Sequence, residues 1–341
     1  MQMTNPNRES TMQSTRRGIL KGVLGAAAIA GLAPQTLAAA STRASGEPAP
    51  LGAPEQLAVA SDYALSLAGS PFGTVPDAGG GDPYASIQTV PTTPPSKGIG
   101  ALHYRDITLS ADARAPQAFF NAIKNQVSLG SQKPQSGQIA SIGMVNGVPQ
   151  MLGLMQMTNA VFSQVTFPHL DGANGPATDP FKVVYTPAST AQLATGSPPL
   201  TASARLPWSS GYFSLTINGT TLLVQRVEPW KMTIPVTLDP SIGIPTQGKP
   251  DYGDLVFQMS DAKAKFFVQN WFNNTVLKGM TQNYDAVLTI LDPQGSTPII
   301  KLQLQQIGVY DLQSVAQGVL QATCYVNGTA LSYPSGTPGR I

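Results

Sequence analysis

A single cysteine, Cys324, in a chain of 341 residues excludes an internal disulfide and any metal cluster built on several thiolates. Only two histidines are present, His103 and His169, so no Cys/His cluster can form a metal or cofactor site. Charge is also scarce. Asp, Glu, Lys and Arg make up 11% of the chain, against about a quarter in ordinary globular proteins. No Gly-x-Gly-x-x-Gly follows a strand and no Gly-Lys-Ser/Thr opens a helix, which removes the dinucleotide and phosphate fingerprints. The stretch "AGGGDPY" (Ala78–Tyr84) lacks that lysine and also the iterated glycine–aspartate units of a calcium repeat, and it reads as a flexible loop. No cofactor, no metal and no catalytic residue is therefore expected.

The formal net charge of +2 comes from the first forty residues, where Arg8, Arg16, Arg17 and Lys21 stand against Glu9. Taking those four from 20 basic residues and that one from 18 acidic residues leaves 16 against 17. A near-neutral chain lacks the basic surplus that displaces counterions, so nucleic acid is not an expected partner. The same segment carries an export signal. Thr15-Arg16-Arg17-Gly18-Ile19-Leu20-Lys21 resembles the twin-arginine consensus, and a Gly/Ala-rich apolar stretch runs from Gly22 to Leu32. Ala38 and Ala40 then offer the small residues of a cleavage site, with Ser41 as the mature start. Export to the periplasm or the cell exterior by the twin-arginine route is expected. No later run reaches about 18 apolar residues, so no membrane-spanning helix is expected after signal removal.

What the chain does contain is apolar residues (42%), 33 glycines and 30 prolines, a composition of many turns and short strands. It also contains itself twice. "HYRDITLSADARAPQAFFNAIK" (His103–Lys124) and "DYGDLVFQMSDAKAKFFVQNWF" (Asp251–Phe272) correspond at a constant offset of 148 positions. Tyr104, Asp106, Ile107 and Leu109 answer Tyr252, Asp254, Leu255 and Phe257, and Phe119 and Ile123 answer Phe267 and Trp271. A period of that length denotes a duplicated domain and not a solenoid.

The expected organisation is a signal peptide (1–40), a Pro/Ala linker (41–60), a first domain (61–187), a hinge (188–207), a second domain (208–333) and a flexible tail (334–341). Each domain opens with an alternating strand, Tyr63–Leu67 or Tyr212–Ile217, followed by a long irregular stretch. The repeated strand follows, then a helix with Asp112 or Asp261 near its start as N-cap and Pro116 in the first turn of the first copy. Phe119, Ile123 and Val127 share one face of that helix. A hairpin then turns at Asn146-Gly147 or Gln294-Gly295, and a last strand closes the unit at Phe181–Tyr185 or Ala322–Val326. Ile300 to Gln305 alternates as a strand with one wet face. The fold class is mainly β (α+β). Met155 and Met157 share a strand face whose partners in the other copy are the polar Gln303 and Gln305, so they are read as either interface or core.

These motifs resemble the tail-tube (inner-tube) proteins of contractile phage tails and related injection systems, a family with an Hcp-like fold. The resemblance is carried by Tyr104-Arg105-Asp106-Ile107-Thr108-Leu109, Phe119-Phe120-Asn121-Ala122-Ile123-Lys124, Gly137-Gln138-Ile139 and "TNAVFSQVTFPHLDG" (Thr158–Gly172). It covers about 100–186; the second half matches through the helix and hairpin, keeps Trp271 and lacks Phe-Pro-x-Leu-Asp. What it implies is two tandem β-barrel or sandwich domains, each with one flanking helix, in a structural, non-enzymatic protein. Its partner would be itself, in a ring or tube, including a trimer with pseudo-six-fold symmetry. The assembly surface would include Met155, Met157, Phe167, Leu170 and Asp171. Two other readings stand beside it. One is a periplasmic or extracellular ligand-binding module using the loops after Leu67 and Ile217. The other is an exported hydrolase using His169 with Asp171 and Ser163, although no nucleophile elbow surrounds them.

Overall fold

The computed structural model describes residues 60–341 except 112–118, 120, 122, 125–132, 146–147, 174–179, 194–208, 240–242 and 333–341. The signal residues Arg16, Arg17, Ala38 and Ala40 lie outside the described residues, as do Asp112, Pro116, Val127, the Asn146-Gly147 turn and the expected tail.

Alternation governs the strands. On Pro298–Ala316, Ile300, Leu302 and Leu304 are buried while Gln303 and Gln305 are exposed, the period-2 pattern of a sheet with one dry face. Ile107 and Leu109, and their counterparts Leu255 and Phe257, are all fully buried. In the first half the hydrogen-bonded order is Ser70–Val75, Ala60–Leu67, Gln135–Val145, Val148–Thr166, Phe181–Thr186, Ile107–Ala111, Asp77–Gly80. In the second half it is Thr220–Leu222, Phe213–Ile217, Tyr284–Leu291, Pro298–Ala316, Val319–Tyr325, Leu255–Met259, Arg226–Val227. The two orders correspond strand for strand. Ser189–Leu193, inside the stretch read as a hinge, adds to Val148–Thr166 as Gly328–Ser332 adds to Pro298–Ala316.

Both long strands, 19 residues each, bend in the middle. The bends fall at Asn159 (φ 47°) and Gln306 (φ 51°), left-handed positions that ordinary residues avoid. Each bent amide is held from a neighbouring strand: Asn159 N–H donates to Ser136 Oγ at 3.2 Å and Gln306 N–H to Asp285 Oδ1 at 2.9 Å. Before the bend the strand pairs with Gln135–Val145 or Tyr284–Leu291; after it, with Phe181–Thr186 or Val319–Tyr325. One strand thus serves two layers, with the apolar core between them. The opening hairpins match as well, with two-residue turns at Ala68-Gly69 and Asn218-Gly219, all four at positive φ.

The expectation of two barrels, each with a flanking helix, is corrected here. The sheet paths are open: Ser70–Val75 and Asp77–Gly80 end the first without pairing to each other, and the second runs from Thr220–Leu222 to Leu170–Asp171. The bend turns each sheet over the core, so apolar burial is reached before the hydrogen-bonded ring closes. One α-helix is delimited among the described residues, Ala262–Phe272, and it runs on into a π-helical turn at Asn273–Leu277. Asp261 caps it, its Oδ1 accepting from Ala264 N–H at 2.9 Å. Ala264, Val268 and Trp271 are its buried face, and the Trp271 indole donates to Gln282 O at 2.8 Å. In the first half, residues 119, 121, 123 and 124 are helical, with Phe119 and Ile123 buried, and the rest of the expected helix lies outside the described residues. The stretches expected to be irregular form hairpins instead: Pro83–Val90 with Ser96–Tyr104, and Val236–Leu238 with Pro245–Gln247.

The bend supplies a test. Gln306→Gly removes the left-handed penalty and leaves stability unchanged or raises it by up to about 1 kcal/mol, whereas the β-branched Gln306→Val costs about 1–3 kcal/mol. Urea unfolding of the two variants checks the sign.

Candidate assembly interface

The feature that organises the molecule is a seam between its halves. Lys231–Thr233 of the second half adds antiparallel to the outer edge of Gln164–Thr166 of the first, with Lys231 opposite Thr166, Met232 opposite Val165 and Thr233 opposite Gln164. Two flanking bonds extend it, Phe167 N–H to Trp230 O and Ile234 N–H to Ser163 O, both 2.7 Å. A second link pairs Arg226–Val227 with Leu170–Asp171. The hairpin Val236–Gln247 follows, and Gln247 Nε2 donates to Phe162 O at 2.6 Å.

Packing reinforces this pairing. Trp230 meets Phe167 edge-on at 5.6 Å between ring centroids, and Phe167 meets Phe181 at 4.6 Å. Both Trp230 and Phe167 are buried, and the indole N–H donates to Gly253 O at 2.8 Å. A large ring buried with its polar atom satisfied is stabilising on both counts. Of the residues read as an assembly surface, Phe167, Leu170 and Asp171 therefore lie in this internal seam. Met157 is fully buried in the core. Met155 is partly buried, and with Tyr63, Gly80 and Gln192 it lines a cavity of about 150 Å³.

The aspartates of the repeated strand play matching parts. Asp106 accepts from the Thr186 hydroxyl at 2.7 Å, and Asp254 from the Tyr310 hydroxyl at 2.5 Å. The Asp254 bond holds the proton on Tyr310, whose pKa is pushed up to about 12. Burial raises the Cys324 thiol well above its ordinary range, which suits an inert core residue.

The groups of a possible hydrolase have partners of their own. The Ser163 hydroxyl donates to Val184 O at 3.2 Å, His169 Nε2 accepts from Arg226 Nε, and Asp171 Oδ1 accepts from Ala173 N–H at 2.9 Å. Arg226 also pairs with Glu228 at 3.2 Å. His169 thus serves the seam. Among the described residues no group of three His, Cys, Asp or Glu side chains could hold a metal, and no helix is long and apolar enough to cross a membrane. The first long loop contributes to an open recess of about 470 Å³, lined by Gly80, Tyr84, Tyr104, Arg105 and Asp106.

Several strand edges among the described residues stay unpaired, and two of them correspond to the strands of the seam. Among the described residues, no strand pairs with the outer edge of Asp311–Ala316 or with that of Pro83–Val90. Exposed apolar side chains lie on or beside both: Tyr310 and Val315 are 46% and 44% exposed, and Ile87 and Ile99, on facing strands, 76% and 87%. The sequence did not single these edges out, because each is defined by what fails to pair with it.

No protein-family model matches the chain, and no curated protein matches it in sequence. Solved structures do. The chain is similar to a protein of the anti-feeding prophage cap, which terminates that tube, at 15% identity over 47% of this chain and 99% of that one, with a TM-score of 0.33. It is similar to a chain of the anti-feeding prophage baseplate at 14% identity, covering 36% of this chain and 93% of that one, TM-score 0.29. A chain of the sheath–tube complex of an extracellular contractile injection system, in its extended state, matches at 14% identity over 41% and 94%, TM-score 0.34. The resemblance is thus to components of contractile injection systems, at low identity, and superposition at this level assigns no shared role.

The seam itself is testable. Trp230→Ala removes the largest fully buried side chain and leaves the Gly253 carbonyl without its donor. A loss of about 3–5 kcal/mol is expected from urea unfolding, against under about 0.5 kcal/mol for the exposed Leu223→Ala.

Proposed function

We propose that the protein is an exported structural subunit made of two tandem tail-tube-like domains, about 61–187 and 208–333, that self-associates into rings or tubes. The observation that carries this reading is the seam. Two halves with the same strand order meet by adding a strand of one to the edge of the other, and the same kind of edge is left open on Asp311–Ala316 and on Pro83–Val90. An unpaired, apolar strand edge is a template for another chain unless it is blocked. The repeated Tyr-x-Asp-Ile/Leu-x-Leu/Phe strand (Tyr104–Leu109 and Tyr252–Phe257) supports a common origin of the halves. The twin-arginine segment supports export of a folded subunit that assembles in the periplasm or beyond. With two quasi-equivalent units per chain, three chains make a pseudo-six-fold ring and six make a ring of double height.

Mass photometry and negative-stain electron microscopy of the protein at micromolar concentration test the reading. The expected outcome is a discrete closed species of three or six chains, with stacking at higher concentration. A monomer across that whole range contradicts it.

A further inference from the structure

The halves register residue for residue along the wall that contains the seam. Val183 lies opposite both Leu109 and Val165, and Ala322 opposite both Phe257 and Leu312. Leu109 and Phe257 are counterparts at the 148-residue offset, so Leu312 occupies in the second half the position of Val165 in the first. By the same register Asp311 replaces Gln164 and Gln313 replaces Thr166. These are the three residues to whose equivalents Lys231–Thr233 is bonded.

The added strand has its own counterpart. Met232 pairs with Tyr252 and Thr233 with Asp251, as Pro83 pairs with Tyr104 and Tyr84 with His103. Asp82-Pro83-Tyr84 therefore stands where Lys231-Met232-Thr233 stands in the second half. Burial records the difference. Val165 and Met232, which cover each other, are 0% and 1% exposed, whereas Leu312 is half-buried and Pro83 and Tyr84 are exposed.

We propose that Asp82–Tyr84 of one molecule adds to Asp311–Gln313 of a second copy, with Asp82 opposite Gln313, Pro83 opposite Leu312 and Tyr84 opposite Asp311. The seam inside the chain then recurs between chains. This rests on the self-assembly reading above and names its joint. The contact is heterologous, head to tail, so repetition closes a ring or extends a filament. The exposed Tyr310 and Val315 lie on the accepting strand, and the exposed hairpin residues Ile87 and Ile99 follow the donating one, as the seam-covering hairpin Val236–Gln247 follows Lys231–Thr233. Three replacements make this joint weaker than the internal one. Pro83, in the place of Met232, offers a carbonyl but no N–H. Gly81 and Ser314 stand where Trp230 and Phe167 meet within the chain. The internal seam is thus permanent, and the joint between chains forms and dissolves with concentration.

In the internal seam Phe167–Trp230 and Ser163–Ile234 are hydrogen-bonded, so the pairs one step from Met232–Val165 are the closely spaced non-hydrogen-bonded ones, which suit a disulfide. The test is the full chain carrying Tyr84→Cys with Asp311→Cys, oxidised at micromolar concentration and run on a non-reducing gel. Asp82→Cys with Gln313→Cys is the second variant, should the first misfold. Buried Cys324 takes no part. A ladder of covalent multimers rising one chain at a time is expected. It should be at least tenfold weaker for the off-register pair Tyr84→Cys with Ser332→Cys, whose second position lies on the strand Gly328–Ser332. Oligomers by mass photometry without a ladder from either in-register pair overturn this joint and leave self-assembly standing. A monomer under all conditions overturns both.

Discussion

A strand edge must be satisfied by water, by its own chain or by another molecule. In this protein that requirement organises everything else. The edge of Gln164–Thr166 is satisfied from within, by Lys231–Thr233, and the pairing excludes water well enough to bury Val165, Met232 and Trp230 almost completely. Each backbone bond contributes only about 1 kcal/mol net. The apolar burial that accompanies them, at roughly 25 cal/mol per Å², is what holds the halves together.

The bend at Asn159 and Gln306 is the device that makes such an edge available. A straight 19-residue strand would be paired along its length in one sheet. The bent one enters a second layer after a left-handed residue and presents a fresh margin there. The cost of that backbone conformation is offset by a side chain that accepts the bent amide, Ser136 in one half and Asp285 in the other. Different residues solve the same local problem at the same place, which is how a shared architecture persists under divergent sequence.

Much of this was legible in the sequence, and the limits have physical causes. The ungapped repeat marked equivalent strands because buried, alternating residues such as Ile107, Leu109, Leu255 and Phe257 tolerate only apolar exchange. Asp261 was readable as a cap because its side chain acts three residues away. Closure of the sheets was not readable: whether a sheet becomes a barrel depends on shear and on the bend, and Gln306 does not signal positive φ by composition, while Asn159 does so more weakly than a glycine would. The hairpin Pro83–Tyr104 was masked by the glycines and prolines at its base. Phe167, Leu170 and Asp171 of "FPHLDG", read from the sequence as an assembly surface, contact the chain's own second half. Which copy supplies a partner is decided by topology, and no local pattern encodes it.

Hydrogen exchange measured by mass spectrometry at two protein concentrations tests the central claim most directly. Peptides spanning Gln164–Thr166 and Lys231–Thr233 should be protected equally in dilute and concentrated samples, because the internal seam belongs to every molecule. A peptide spanning Asp311–Ser314 should exchange fast when dilute and become protected, by at least tenfold, when concentrated. Fast exchange there at every concentration, or concentration-dependent exchange at Gln164–Thr166, would contradict the account.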